Sequence, residues 1–281
     1  MKKITLLDGA VGTSLWKMAD KAGIPKVPVW QYNIEHPELV LDLAKEYIDA
    51  GSEILLCNTF GANAPTVSRC SSYKTEDVVA AGVRIIKEVV RGTDVKVALS
   101  IGPLSALMEP YGDLTEEEAR QIYRQQIGAG MEEKPDLIMI QTFMDVNMVR
   151  IATEVAKQYP VPVFCTMSFE KVGKTIMGNS VQDAIDALTP LKIDAIGLNC
   201  SLAPDQALPV MRQFVGKTSL PLVFKPNAGK PVLQNDGSTL TSSDALTFAN
   251  DIAPALEFVD YIGGCCGSDP DFIRELKKKM N

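Results

Sequence analysis

Three cysteines at the ends of two apolar runs are the residues of this sequence best suited to chemistry. Cys200 directly follows the run Ala195–Asn199. Cys265 and Cys266 are adjacent and lie within the glycine-rich stretch Gly263–Gly267. Three thiolates suit Zn²⁺ and leave its fourth tetrahedral position open, as in catalytic zinc sites, and a thiol bound there loses its proton. The pattern predicts zinc on Cys200, Cys265 and Cys266 and activation of a substrate thiol for alkylation.

Two other interpretations of the cysteines stay open on the sequence alone. Buried cysteines often act as small apolar side chains with no ligand. A closed structural zinc site of four cysteines would be completed by Cys57 or Cys165. Cys70 lies in a serine-rich stretch that suggests no role, and six cysteines are too sparse for a disulfide framework.

The single histidine restricts the mechanisms that the chain can use. His36 precedes Pro37 at a predicted helix start, where a capping or surface role is expected. One histidine excludes the H-E-x-x-H zinc pattern and argues against a Ser-His-Asp triad. Catalysis is therefore expected from a metal, carboxylates and backbone dipoles.

Eight apolar runs that alternate with eight amphipathic segments must position these residues. The runs are Ile4–Leu7, Glu53–Cys57, Val95–Ile101, Leu137–Gln141, Val163–Ser168, Ala195–Asn199, Leu222–Phe224 and Val259–Ile262. The helical segments are Pro37–Ala50, Asp77–Arg91, Thr115–Ala129 (whose Thr115 and Glu118 have capping-box spacing), Val146–Gln158, Val181–Leu188, Pro204–Val215, Ser242–Ile252 and Pro270–Met280. Near-continuous apolar strands indicate a parallel sheet covered on both faces, so the pattern predicts a single-domain (β/α)8 TIM barrel over residues 1–281. A doubly wound sheet is the alternative, but no G-x-G-x-x-G follows any run.

In such a barrel, functional residues lie where strands end and the following loops begin. Polar residues, glycines and four of the six cysteines occupy these places. The strand-end segments are Asp8–Thr13, Cys57–Gly61, Gly102-Pro103, Gln141–Asp145, Ser168–Glu170, Asn199–Ser201, Lys225–Gly229 and Gly263–Gly267. We expect all of them to border one shared mouth.

Composition excludes several classes of function. The chain of 281 residues is 46% hydrophobic and 22% charged, and its net charge is −7. An acidic chain with no clustered basic face is not expected to bind nucleic acid. No apolar stretch approaches the roughly 18 residues that cross a bilayer, and Ile4–Leu7 is too short for a signal peptide. A cytoplasmic protein without a membrane partner is expected.

The strand-end motifs resemble those of the homocysteine S-methyltransferase family. The segments that carry the resemblance are Asp8–Thr13, Asn58–Gly61, Gly197–Ser201, Lys225–Gly229 and Gly263–Gly267. The resemblance extends from Asp8 to the last helix and is greatest to the homocysteine-binding modules of cobalamin-dependent enzymes. It implies a (β/α)8 barrel that holds Zn²⁺ on Cys200, Cys265 and Cys266 and takes the homocysteine thiol as fourth ligand. Asn227 is the candidate to occupy that position when the thiol is absent.

The resemblance also implies how the rest of homocysteine binds. The backbone N–H groups of Ala10 and Val11 would hold its carboxylate, Asp8 would hold its ammonium, and Asn58 belongs to the same substrate-binding set. The family commonly has a glutamate where this chain has Gln141, and an amide accepts a hydrogen bond without supplying charge. Homocysteine is the expected acceptor, and a thiol without the amino group is the alternative.

The methyl donor implied by the resemblance is a methyl-corrinoid. Methylcobalamin would come from a partner corrinoid protein, because His36 with Pro37 after it cannot form the D-x-H-x-x-G cobalamin motif. A small sulfonium or betaine donor is the alternative. Trp16 and Trp30 could contact such a cation, although core packing or a partner surface is the favoured role of each.

Two further classes of function remain open. A phosphate-binding barrel lyase or isomerase would use the loops after the seventh and eighth runs, with Lys225 as a Schiff-base lysine. A binding module without turnover would only present a metal-bound thiol to a corrinoid complex. The sequence favours the zinc-dependent thiol methyltransferase over both.

Overall fold

Eight parallel strands form the centre of the structure, and they coincide with the eight apolar runs. The computed structural model describes residues 3–229, 231–233, 239–241 and 243–280. Its strands are β1 (Thr5–Leu6), β2 (Ile54–Leu56), β3 (Lys96–Ile101), β4 (Leu137–Phe143), β5 (Val163–Met167), β6 (Ala195–Asn199), β7 (Leu222–Lys225), β8 (Pro231–Leu233), β9 (Thr239–Thr241) and β10 (Tyr261–Ile262). The order β1-β10-β7-β6-β5-β4-β3-β2 is closed by a parallel bridge between Leu7 and Ile54, while β8 and β9 form a separate hairpin. The predicted (β/α)8 fold is confirmed, and the single domain over residues 1–281 stays a prediction.

Helices follow the barrel strands and cover the outside of the barrel. In the described part of the chain they are α1 (Gly12–Lys21), α2 (Tyr32–Glu35), α3 (Pro37–Asp49), α4 (Ala64–Cys70), α5 (Thr75–Val89), α6 (Glu116–Glu132), α7 (Val146–Ala156), α8 (Val181–Leu188), α9 (Pro204–Met211), α10 (Ala245–Ile252) and α11 (Pro270–Met280). Each predicted helical segment contains a helix, although the expected start at Ser242 lies outside the described residues. The sequence did not predict α1, α2, α4 or the β8–β9 hairpin. None of the described helices is long and apolar enough to cross a bilayer.

Local capping explains where several helices begin. The Thr115 hydroxyl accepts from the Glu118 N–H and the Glu118 carboxylate accepts from the Thr115 N–H, which confirms the predicted capping box of α6. Ser180 and Asp183 form the same reciprocal pair at α8. Such caps satisfy N–H groups that have no partner within the helix. Their side chains therefore fix the points at which the strand-end loops pass into helices.

The barrel interior has an apolar lower layer and a polar upper layer. The lower layer is a buried cluster of Leu7, Ile54, Leu56, Ala98, Leu137, Met139, Phe164, Ala195 and Val223. Because side chains alternate along a strand, residues two or four positions further on point to the same side. In five strands these residues are polar, namely Ser100, Gln141, Thr166, Asn199 and Lys225. This polar layer forms the floor of the mouth, by which we mean the barrel end at the carboxyl ends of its strands.

An ion network joins α6 to α7 on the outer surface. Arg120 and Arg150 contact the Glu154 carboxylate at 2.7 and 2.5 Å, respectively. Partial burial raises the pKa of Glu154, but the hydrogen bonds from the two arginines outweigh that effect and hold the pKa below its ordinary value. The network therefore stabilises the packing of these two helices when Glu154 is charged.

Candidate metal centre

The structure brings the three predicted cysteines together at the mouth. The sulfur atoms of Cys200, Cys265 and Cys266 all lie within 4.8 Å of one another. The Sγ atoms of Cys200 and Cys266 are 3.7 Å apart. The other two cysteines weighed as a fourth ligand, Cys57 and Cys165, are buried and lie outside this cluster of the described residues. The closed four-cysteine site is therefore wrong, and the role of the three cysteines as zinc ligands stays a prediction.

Cys200 lies in a left-handed turn that directly follows β6. Cys200 and Ser201 have φ angles of 64° and 57°, a region that residues other than glycine rarely occupy. The Cys200 N–H donates to the Lys225 carbonyl at 3.0 Å, and the Leu202 N–H donates to the Cys200 carbonyl at 2.7 Å. These bonds hold the strained turn and fix the direction of the Cys200 side chain.

Backbone hydrogen bonds join the loop after β7 to the loop that carries the paired cysteines. The Cys265 N–H donates to the Pro226 carbonyl at 2.8 Å, and the Ala228 N–H donates to the Cys266 carbonyl at 2.9 Å. Glycine is needed beside them, because a Cβ on Gly264 would collide with the Ser268 side chain. The two loops therefore form one unit that holds Cys265 and Cys266.

Asn199, at the end of β6, connects the cysteine cluster to β4 and β5. Its amide oxygen accepts from the Thr142 N–H at 2.8 Å and from the Thr166 hydroxyl at 2.7 Å. Its amide nitrogen donates to Thr142 Oγ1 at 2.7 Å and to Cys265 Sγ at 3.6 Å. Thr142 is presented by a bulge in β4, where its φ angle is 68°. Hydrogen bonds of this kind orient metal ligands and tune them.

The pKa of each of the three thiols lies above the ordinary cysteine value. The hydrogen bond with Cys200 is the largest effect on Cys265 and raises its pKa to about 12. For Cys200 the hydrogen bond with Cys265 lowers the pKa most, but the bond with Cys266, together with burial, brings it to about 11. For Cys266 the bond with Cys200 lowers the pKa most, but the bond and charge of Cys265 bring it to about 12. Three thiols packed this closely become thiolates together only when a cation lies among them, so the donor set fits a soft divalent metal.

Asn227 presents a second observation that fits a metal. The residue is 5% exposed, and its amide oxygen Oδ1 has no hydrogen-bond partner among the described residues. The backbone N–H of Asn227 donates to the carbonyl of Leu202, in the turn that follows Cys200, at 2.9 Å. A buried acceptor without a donor costs roughly 1–3 kcal/mol, which a bound cation or ligand would offset. Oxygen is an accepted zinc ligand, so the predicted placeholder role of Asn227 is compatible with its surroundings.

Asp8 is buried in an ion pair. Asp8 and Lys225 each have a side-chain exposure of 1%, and the Lys225 Nζ lies 2.6 Å from Asp8 Oδ1. The other oxygen, Oδ2, accepts from the Leu56 N–H at 2.7 Å. Both carboxylate oxygens therefore already have partners, and the predicted contact of Asp8 with a substrate ammonium stays a prediction. Lys225 is buried and paired, which makes it unsuited to Schiff-base formation with a substrate.

Gln141 and Asn58 have different surroundings. Gln141 lies in the floor of the mouth, 8% exposed, and its amide nitrogen donates to Ser100 Oγ at 2.8 Å. Asn58 is 3% exposed and its amide nitrogen donates to the Val29 carbonyl at 2.7 Å and to Asn33 Oδ1 at 2.9 Å. The amide of Asn58 therefore anchors the segment that precedes α3, and its predicted contact with substrate stays untested.

The start of α1 corrects the prediction for one backbone donor. The Ala10 N–H was expected to be free for a carboxylate, but it donates to the Ser268 carbonyl at 2.8 Å. The Val11 N–H has no such backbone acceptor in the described chain, and no side chain caps the first turn of α1, which begins at Gly12. Free donors thus begin one residue later than expected, and the Gly267 N–H, which donates to Thr13 Oγ1 at 3.1 Å, joins this turn to the cysteine loop.

The remaining candidates lie away from the cluster or are buried in the core. His36 contacts Glu38 at 3.0 Å near the surface, as expected for a surface role. Trp30 is 2% exposed, whereas Trp16 is 40% exposed and donates from its indole nitrogen to the Val27 carbonyl. Cys70 is exposed at the end of α4 and outside the cluster.

Two positioning residues are not evident from the sequence. The buried hydroxyl of Tyr47, on α3, lies 2.8 Å from the Ala10 carbonyl and 3.0 Å from the Ser268 carbonyl, so its single hydrogen is shared between these two acceptors. Its hydroxyl thus ties the loop after β1 to the loop after β10. Asn199 belongs to the motif Gly197–Ser201, but no role of its own was predicted for it from the sequence. Its position directly before the candidate ligand Cys200 was the one sequence feature that could have indicated a positioning role. Nothing in the local pattern marks Tyr47, because a buried tyrosine on a helix is typical of ordinary packing.

Comparisons with known proteins agree with this geometry. The sequence matches the family model described as homocysteine S-methyltransferase over residues 5–280. Methionine synthases of Mycobacterium leprae and Mycobacterium tuberculosis are 26% and 28% identical over 302 and 298 aligned residues. Each alignment covers 98% of this chain and 24% of the relative, so the chain spans about a quarter of the length of those relatives.

A solved structure shares the fold. The metallated form of the homocysteine methyltransferase MmuM from Escherichia coli has a TM-score of 0.81 and 21% sequence identity, over 99% of this chain and 96% of that chain. This likeness shows the barrel, whereas the sequence match extends from the first barrel strand to the last helix. The chain therefore belongs to the homocysteine S-methyltransferase family.

Proposed function

We propose that the chain is a zinc-dependent S-methyltransferase that methylates homocysteine, or a related thiol, to methionine or the corresponding thioether. The observation that carries the proposal is the convergence of the Cys200, Cys265 and Cys266 sulfurs within 4.8 Å at the mouth. The buried, unpartnered amide oxygen of Asn227, on the loop that is hydrogen-bonded to the Cys265–Cys266 loop, also supports a cation in this region. Zn²⁺ on the three sulfurs would take the acceptor thiol as its fourth ligand and remove its proton.

The residues of the chain orient the acceptor for this reaction. The Asn199 amide, through its bond to Cys265 Sγ, holds one ligand sulfur in place. The first turn of α1 offers N–H groups, from Val11 onward, to the acceptor carboxylate, and the helix dipole favours an anion there. The thiolate sulfur then forms a bond to the methyl carbon while the bond from that carbon to the donor breaks and its electron pair stays with the donor. Positioning and the charge of the thiolate supply the rate, with no covalent enzyme intermediate.

The methyl donor in this proposal is a methyl-corrinoid carried by a partner protein. Large apolar side chains are exposed on the loops after β2, β3, β4 and β5, which surround the mouth. These are Phe60, Leu107, Tyr111, Met144, Val172 and Ile176. Exposed apolar side chains clustered on one face are typical of protein-binding surfaces. A protein that presents a methyl group to the mouth would cover them. All six cysteines are free, which suits the reducing cytoplasm that we propose as the location.

The test mixes the zinc-loaded protein with L-homocysteine and free methylcobalamin and follows the loss of the methyl-cobalt absorbance. We expect a loss that depends on both zinc and homocysteine. Free cofactor can replace the partner only in part, so the rate is compared between variants rather than with a holoenzyme. Turnover by the isolated chain would also exclude a module that only presents the thiol.

Two serine variants test whether zinc binding and activity depend on the cysteine cluster or on a cysteine outside it. Cys266→Ser is expected to lose bound zinc and activity together, whereas Cys70→Ser, at an exposed position outside the cluster, should keep one zinc per chain and full activity. Zinc is counted by atomic absorption after dialysis. Full activity in the zinc-free protein, or an unchanged zinc content in Cys266→Ser, would contradict the proposal. Activity with a sulfonium or betaine donor and none with methylcobalamin would replace the donor and leave the thiol chemistry in place.

A further inference from the structure

The carboxylate nearest to the polar layer is already neutralised by the protein. Asp8 is 1% exposed, with one oxygen 2.6 Å from the Lys225 ammonium and the other 2.7 Å from the Leu56 N–H. Exchanging one partner of a buried ion pair for a substrate group would leave the other charge buried and unpaired, which is strongly unfavourable. Asp8 is therefore committed to holding Lys225 and is not available to an ammonium group of a substrate.

The rest of the floor is electrically neutral. Apart from Lys225, the polar layer consists of hydroxyl and amide side chains, and as far as the chain is described it contains no carboxylate. Gln141 donates from its amide nitrogen to Ser100 Oγ at 2.8 Å, and no described residue donates to its amide oxygen. An ammonium group at the floor would thus meet amide oxygens, which bind it without the contribution of a full charge.

A negatively charged substrate group has a better binding position, at the start of α1. The first turn of α1 has no acidic residue and no side-chain cap, and the loop that carries Cys265 and Cys266 is joined to it through the Gly267 N–H and Thr13 Oγ1 at 3.1 Å. The first turn of α1 therefore favours an anionic group, whereas the floor offers a cation no unpaired carboxylate among the described residues.

From these charges we infer that the enzyme selects its acceptor by the thiol and the carboxylate and is indifferent to an α-ammonium group. The inference rests on the proposed function and names its acceptor class, which is short-chain thiol carboxylates with or without the amino group. Homocysteine belongs to that class, and so does 4-mercaptobutyrate, which differs from it only by the missing amino group. The matching thiol that keeps the ammonium and lacks the carboxylate is 3-mercaptopropylamine.

The test measures binding of these three thiols to the zinc-loaded protein by titration calorimetry, with no methyl donor present. We expect dissociation constants of homocysteine and 4-mercaptobutyrate within about threefold of each other, since a neutral amide adds little to the binding of an ammonium. The dissociation constant of 3-mercaptopropylamine should be higher by about tenfold or more, because it lacks the group that makes the charge-assisted bonds. A homocysteine affinity more than about tenfold above that of 4-mercaptobutyrate would overturn the inference.

A negative charge introduced at the floor should create a preference for homocysteine over 4-mercaptobutyrate. Gln141→Glu is expected to shift the affinity ratio about tenfold toward homocysteine, because it turns a neutral hydrogen bond into a charge-assisted one. The matched control, Gln121→Glu, makes the same change on the exposed face of α6 and should leave the ratio unchanged. If Gln141→Glu does not fold, the ratio measured on the unaltered protein still decides the question.

The outcomes separate this inference from the proposed function. Binding of none of the three thiols to the zinc-loaded protein would reject the proposed function itself. Tight binding of homocysteine and 3-mercaptopropylamine with weak binding of 4-mercaptobutyrate would keep the thiol chemistry and reject the inference. An unchanged ratio in folded Gln141→Glu would show that the ammonium does not approach the floor, which contradicts the inferred role of Gln141.

Discussion

Removing the buried cation should reveal how strongly the Asp8–Lys225 pair supports the mouth. Lys225→Met keeps the length of the side chain and removes its charge, which leaves the Asp8 carboxylate 1% exposed with the Leu56 N–H as its remaining hydrogen-bond donor among the described residues. Breaking a buried pair in this way costs about 3–5 kcal/mol, because the remaining charge stays in a medium that solvates it poorly. The free energy of unfolding should fall by that amount.

The assay is urea-induced unfolding at pH 7 in the presence of a chelator, so that metal binding does not contribute to stability. Thermal unfolding in the same buffer provides a second measurement. For a domain of this size each kcal/mol of stability corresponds to about 2–4 °C, so the loss should lower Tm by about 6–20 °C. The double variant Lys225→Met with Asp8→Asn keeps an acceptor for the Leu56 N–H and removes the unpaired charge. It should recover most of the lost stability and leave a deficit of about 1–2 kcal/mol.

The same substitution at an exposed pair provides the control. Lys17 lies 2.8 Å from Asp269, but the two side chains are 58% and 23% exposed. Water screens such a pair, so Lys17→Met should cost less than about 1 kcal/mol. An equal and small loss in both single variants would refute the reasoning, because it would mean that the Asp8–Lys225 pair is solvated. A double variant no more stable than Lys225→Met would contradict the assignment of the loss to the unpaired carboxylate.

Three other substitutions test separate parts of the structure. Asn199→Ala should weaken zinc binding about 10- to 100-fold in chelator competition, because it removes the amide that orients a ligand sulfur, and unchanged affinity would contradict this role. Glu154→Gln should lower the free energy of unfolding at pH 7. Since the pKa of Glu154 is lowered in the folded state, the difference from the unaltered protein should disappear as the pH falls below the ordinary glutamate value, and a constant difference in urea titrations would refute the assignment. Gly264→Ala should lower the zinc content after dialysis, because its Cβ would displace Ser268, whereas Gly128→Ala on α6, with 3.4 Å to the nearest atom, should bind one zinc per chain.

The barrel could be predicted from sequence because its strands are buried on both faces. A strand such as Ala195–Asn199 reads as a continuous apolar run that ends at a polar residue, and its predicted and observed bounds coincide. Helices Val181–Leu188 and Pro270–Met280 also coincide with their predictions, since Ser180 caps the first and a proline begins the second. The convergence of the cysteine sulfurs followed from the same logic, because strand ends of a closed barrel share one mouth.

The contacts that the sequence could not predict depend on side chains from distant strands. The resemblance implies that Asp8 holds a substrate ammonium, but no local pattern shows that Asp8 pairs with Lys225 of β7, which is 217 residues away. The Ala10 N–H is taken by the Ser268 carbonyl through loop geometry that no local pattern encodes. Helix α1 was missed because it begins at Gly12 without a capping side chain or an acidic first turn.

The closure of the barrel also dictates when the cysteine cluster can exist during folding. Strand β10 lies between β1 and β7, with Thr5 paired to Tyr261 and Tyr261 to Val223, so the loop that carries the paired cysteines is placed by the most distant strand pairing in the barrel. Pairings of such long sequence separation form late, because the entropy of the connecting chain must be lost first. A chain emerging from the ribosome would therefore build β1 to β7 with Cys200 in place but without its two partners. We expect the metal to bind after the barrel has closed and to stabilise the folded state, rather than to nucleate folding.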